Sequence, residues 1–152
     1  MKKTATFAAA AALAAVALAA PQATAATHQG GLHFGALQFD GPGPDLPRTN
    51  AKLNAEFVDL HNNSRTPVTL TGYTVRTASG FVYKFGSFKL GAYQSVRLHN
   101  GQGGNTAKHV YRKLNNFWFN NSGGSVTLTA ANGVKKDACS WRANGRGYTT
   151  CH

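Results

Sequence analysis

An all-β chain, folded as an immunoglobulin-like β-sandwich of about eight short strands, is predicted by three observations. Downstream of Lys52, short runs rich in β-branched and aromatic residues recur, divided by clusters of Gly, Asn and Ser. Within those runs apolar residues sit two apart, as in Val58 and Leu60, Val96 and Leu98, and Val126 and Leu128, which places each pair on one buried face of a strand. No segment of that region carries an apolar stripe at helical spacing over ten or more residues.

Taken in order, the first strand is expected near Leu32–Phe39, followed by a loop through Gly41-Pro42-Gly43-Pro44 and Pro47. Further strands are expected near Leu53–His61, Val68–Thr77, Phe81–Phe85, Gln94–His99, His109–Arg112, Asn116–Phe119, Ser125–Ala130 and Val134–Trp141. Turn residues divide them at Asn62-Asn63-Ser64, Ala78-Ser79-Gly80, Leu90-Gly91-Ala92, Asn100-Gly101 and Ser122-Gly123-Gly124. Asn132-Gly133, set between two strand-like runs, is the strongest hairpin signal. Between Leu70 and Tyr73 the apolar phase slips across a glycine, and a bulge at Thr71-Gly72 would return both side chains to the interior.

Ahead of these strands, Lys2 and Lys3 precede an alanine-rich apolar run from Ala5 to Ala20, then Pro21 and the small residues Ala23-Thr24-Ala25-Ala26. That layout is a secretory signal cleaved after Ala25 or Ala26, and no second long apolar run follows it. The expected organisation is a signal over 1–26, a Gly/Pro-rich segment with the first strand over 27–50, and a sandwich core with a tied tail over 51–152. The exported part is expected to be extracellular, without stable membrane insertion. Cys139 and Cys151 are the two cysteines, and in an oxidising compartment they are expected to form a disulfide. Closing so short a loop is worth about 2–3 kcal/mol. No CxxC spacing or further cysteine supports a metal or redox pair.

The chain carries 16 Lys and Arg against five acids, Asp40, Asp45, Glu56, Asp59 and Asp137, for a net charge of +11. Such an excess attracts polyanions and keeps molecules apart in solution. The six histidines show no metal-ligand spacing and read as scattered over the surface, and no G-x-S-x-G nucleophile elbow occurs. Glu56 and Asp59, three apart, point to opposite faces of a strand and do not form a catalytic pair. Glu56 shares the face of Val58 and Leu60 and is expected to be a structural carboxylate held by backbone or basic donors. The expectation is a protein that is not an enzyme and needs no cofactor.

Binding has more support. Lys108, Arg112 and Lys113 lie near Tyr111, and Lys135, Lys136, Arg142 and Arg146 lie near Trp141 and Tyr148. Cations beside aromatic rings grip phosphates and stack on bases or sugars. The expected partner is an anionic polymer, nucleic acid or cell-wall polymer, or another protein. Glycan binding through Asn115, Asn116, Asn120 and Asn121, self-association through an edge strand, and a small hydrolase or nuclease are the alternatives.

Two motifs carry a family resemblance. Glu56-Phe57-Val58-Asp59-Leu60-His61-Asn62 followed by Pro67-Val68-Thr69-Leu70-Thr71-Gly72-Tyr73-Thr74-Val75, and later Trp118-Phe119-Asn120-Asn121-Ser122-Gly123-Gly124 with the strand after it, resemble the lamin-tail domain family. The resemblance extends over roughly residues 33 to 141 and implies an immunoglobulin-like sandwich. Tyr73 stands where the family usually has tryptophan, and Gly124 where its turn usually has aspartate.

Overall fold

The structure, a computed structural model, describes residues 29–152. The proposed signal lies outside the described residues. Eleven strands and one short helix follow each other as β1 (Leu32–Gln38), α1 (Asn50–Ala55), β2 (Phe57–Asn62), β3 (Val68–Thr69), β4 (Thr74–Thr77), β5 (Val82–Lys84), β6 (Lys89–Leu90), β7 (Ser95–His99), β8 (His109–Tyr111), β9 (Gly123–Thr129), β10 (Lys135–Arg142) and β11 (Tyr148–Thr150). They form a five-stranded sheet in the order β11-β1-β2-β7-β8, a four-stranded sheet in the order β10-β9-β4-β5, and a small β3-β6 ribbon. The architecture is the predicted β-sandwich, with more and shorter strands than expected.

Alternation positions the core. Leu37, Val58, Leu98 and Val110 are cross-strand neighbours along one inner row, and each is at most 1% exposed. Val75, Val126 and Leu128 face them from the other sheet and are fully buried. Burying a side chain of this kind contributes roughly 1.5–3 kcal/mol. The expected hairpin is present: Asn132 accepts the Val134 N–H through its side chain, and the chain returns with Cys139 opposite Val126.

Three expectations are corrected. Leu53 does not begin a strand but ends inside α1, because Thr49 caps it by accepting the Lys52 N–H, so that Leu53 is buried from a helical turn. The 68–77 run is two strands in different sheets, not one bulged strand. A turn closed by Tyr73 N–H to Leu70 O (2.8 Å), with Gly72 at φ +82°, redirects the chain. Bulges fall instead in β1, between Phe34 and Leu37, and in β10, between Lys135 and Asp137. Finally, 116–119 is not a strand, although Trp118 and Phe119 are buried and stack with ring centroids 4.8 Å apart.

Two polar devices join the layers. Glu56, 1% exposed, accepts hydrogen bonds from the Trp118 N–H (2.6 Å) and the Asn100 side-chain amide (2.9 Å). It is the structural carboxylate expected from the sequence, and it anchors the Trp118 segment to the start of β2. Burial pushes its carboxyl up to about 8, against the opposing pull of the Trp118 and Phe119 N–H groups and of Arg112. Asp137 accepts the Phe34 N–H at the β1 bulge (2.6 Å) from its place on β10, and pairs with His152 (3.0 Å). Beside it the Cys139–Cys151 disulfide fastens β10 of one sheet to the residue after β11 of the other.

Candidate functional site

The outer face of the four-stranded sheet follows from alternation and register. Since Val126 and Leu128 point inward, Ser125, Thr127 and Thr129 point outward, as do their cross-strand partners. One row reads Lys84, Thr74, Thr129, Lys135 across β5, β4, β9 and β10. The next reads Val82, Arg76, Thr127, Ala138, and beyond it lie Ser125 with Ser140 and Gly123 with Arg142. By strand spacing the face measures about 14 by 20 Å.

Its charge is of one sign. Arg76, Lys84, Lys135 and Arg142 are all exposed, and hydroxyl side chains lie between them. No carboxylate stands on these rows, since the one acid of β10, Asp137, is turned inward and 6% exposed. The ion pairs among the described residues, Arg97 with Asp59 and His152 with Asp137, involve none of these cations. Holding like charges on one flat surface without counter-charges costs folding energy through self-repulsion, while it raises the local concentration of anions.

Of the residues singled out in the sequence, this face collects Lys135 and Arg142, with Lys136 exposed at the bulge between Lys135 and Asp137. Arg146 is exposed in the loop that follows, and Tyr148, 46% exposed, lies on β11 at the edge of the other sheet. Lys108 and Tyr111 belong to the outer side of the five-stranded sheet around β8, and Lys113 is exposed just beyond it. The ten residues therefore do not form one patch.

Two of them pack inward. Trp141 is 6% exposed, stacks on Phe39 (5.9 Å) and donates its indole N–H to Asn120 O (2.9 Å). It shares its inward phase with Cys139, two residues before it. Gly124 is the residue this packing requires, because a Cβ there would meet the Trp141 ring at 2.7 Å. Arg112 turns inward as well, with its guanidinium 4.3 Å from the Trp118 ring centroid and a hydrogen bond to Asn100 Oδ1 (2.9 Å). Burial lowers its pKa to about 10, opposed by the nearby Glu56.

Arg76 and Lys84 were missed by sequence reasoning. Their outward phase was legible from Val75-Arg76-Thr77 and Tyr83-Lys84-Phe85, but their adjacency to Lys135 depends on a strand order that β9 alone mediates.

The opposite outer face, on the five-stranded sheet, is built differently. Tyr148, Gln38, Phe57, His99 and Tyr111 follow one another along a single cross-strand row. The rings engage each other: His99 stacks on Tyr111 (4.8 Å), and Arg97 lies over Phe57 at 3.5 Å while held by Asp59. Histidines expected to be scattered are instead gathered on this side. His33 stacks with His61 (5.7 Å) and meets His152 edge-on (6.0 Å), and His99 Nε2 lies 3.0 Å from His109 Nδ1. Burial depresses the His99 pKa, which the Asn54 carbonyl partly offsets. His28 lies outside the described residues.

Among the described residues no group of three or more His, Cys, Asp or Glu side chains is arranged to hold a metal ion, and no helix is long and apolar enough to cross a membrane. Of the candidate glycan asparagines, Asn120 Oδ1 accepts from Ser122 and the Asn121 amide lies 3.5 Å from Asp45, whereas Asn115 and Asn116 are engaged through their backbone carbonyls by Arg48 and Asn100.

A search of curated proteins finds no match to this chain. The family model for the Lamin Tail Domain matches residues 25–143, most of the chain. With the immunoglobulin-like sandwich in place beneath that match, the chain belongs to the lamin tail domain family.

Proposed function

We propose that this is a secreted, noncatalytic binding module whose four-stranded sheet contacts an anionic polymer, nucleic acid or cell-wall polymer, through its outer face. The observation that carries this reading is the set of exposed cations, Arg76, Lys84, Lys135 and Arg142, on a hydroxyl-lined face without a carboxylate. Presentation in rows suits an extended partner: phosphates or carboxylates lie along the rows, and Ser and Thr hydroxyls donate between the charges. Membership in a family of immunoglobulin-like interaction domains favours contact over turnover. Export is supported by the apolar leader and by the disulfide between Cys139 and Cys151.

The test is a binding screen of the disulfide-intact protein against nucleic acids, cell-wall polymers and neutral glycans at low and physiological salt. Four contacts predict a slope of log affinity against log salt of about −3 for a single-stranded nucleic acid. Selective retention of one polymer class at physiological salt is the expected result. Loss of all binding at that salt reduces the charge to a solubility feature and leaves a protein partner as the reading.

A further inference from the structure

On the other side of the molecule, we infer that a groove beside β7 and β8 binds an acidic sugar unit of a glycan. The groove is a shallow, open depression of about 390 Å³ lined by Asp59, Tyr93, Gln94, Arg97, Lys108 and His109 among others, a volume at the small end of those used for small ligands. Tyr93 is the unusual residue. It occupies the third position of a turn closed by Gln94 N–H to Gly91 O (3.2 Å), with φ +54°. That position favours glycine, and a bulky side chain there is strained. The strain does not bring the ring into the core, since Tyr93 is 62% exposed. Strain retained for an exposed aromatic ring at the mouth of a polar groove points to a ligand.

The remaining groups define what that ligand is. Arg97 is fixed before any ligand arrives, with Nε and Nη2 on the Asp59 carboxylate (2.7 and 2.8 Å) and its guanidinium plane over Phe57. Its Nη1 is not engaged by Asp59, and Lys108 is exposed beside it. A preorganised cation recognises an anionic group with little further ordering. Tyr93 offers an apolar ring face, and Gln94 an exposed amide for hydroxyl partners. A sugar ring with an acidic substituent uses all three features. A ring-free polyanion leaves Tyr93 and Gln94 unused, and a nucleic-acid strand requires successive open rings, whereas Tyr111 and His99 are already stacked on each other.

The experiment is a titration of the isotopically labelled protein with tetragalacturonate, and separately with neutral maltotetraose, polyphosphate and adenosine monophosphate. Tetragalacturonate is expected to shift the amides of residues 93–97 and 108–109, the other three to leave them largely in place. Tyr93→Gly relieves the positive-φ strain, so the variant keeps or raises its melting temperature while its affinity falls about tenfold. Lys108→Gln weakens binding too. The inference is overturned if tetragalacturonate does not move these amides, if polyphosphate, the nucleotide or maltotetraose moves them equally, or if Tyr93→Gly binds as the parent does.

Discussion

The two outer faces of this sandwich are both pleated-sheet surfaces, and their chemistry differs. On the four-stranded sheet cations and hydroxyls point outward, with Val82 and Ala138 on one row, and neither a ring nor a carboxylate stands among them. On the five-stranded sheet the outward side chains satisfy one another: Arg97 has Asp59 and Phe57, His99 has Tyr111 and His109, and His61 has Ser95 at 2.6 Å. One face spends its residues on itself and so adds to stability, whereas the other leaves its charges unpaired. The difference teaches where a long polyanion gains most, since unpaired cations have their full charge to offer, whereas the held Arg97 beside the exposed Tyr93 and Lys108 suits a smaller ligand.

That contrast is broken most sharply beneath the faces. Replacing Glu56 by Ala strips the Trp118 N–H of its partner, leaves the Asn100 amide only the Asn116 carbonyl, and leaves Arg112 without its facing acid. A loss of about 3–5 kcal/mol in denaturant unfolding is expected, with polyanion affinity of the folded fraction unchanged. Glu56→Gln gives the sign of the pH effect. Because the folded carboxyl titrates near 8 instead of 4.5, its stabilising contribution is complete below the unfolded value and is lost as pH rises through the folded one. The parent should therefore lose melting temperature between pH 5 and 8.5, and Glu56→Gln should lose less.

Charge reversal at Arg76 and Lys84 to Glu comes next, with a 30- to 100-fold loss of polyanion affinity, about 2–3 kcal/mol. The melting temperature should hold or rise, because self-repulsion falls. Reduction of Cys139–Cys151 should cost about 2–3 kcal/mol and expose the β11 amides to hydrogen exchange before those of β9. Smallest of all, His109→Gln at the exposed end of the histidine pair should alter polyanion affinity less than about twofold.

Much of the scaffold was legible in the sequence, and the physical reasons are local. Val58 with Leu60 and Val126 with Leu128 announce their strands by alternation, and Asn132-Gly133 announces its hairpin. Glu56 was readable as a structural acid because it shares its phase with two core residues. Trp141 was not readable as buried, since the extra residue between Lys135 and Asp137 resets the phase of β10 and an inward aspartate hides it. Capping by Thr49 converts the approach to β2 into a helix that six residues of weak pattern could not reveal. The basic face was half visible: its β10 members were named, but a non-local register brings Arg76 and Lys84 to them, and no run of adjacent residues records that register.

The most direct measurement is amide chemical-shift mapping with a ring-free polyphosphate at physiological salt. Perturbations confined to β4, β5, β9 and β10, and removed by Arg76→Gln with Lys84→Gln, are the predicted result. Perturbations centred on β2, β7 and β8, or persisting in that variant, would contradict the assignment of the polyanion to the four-stranded face.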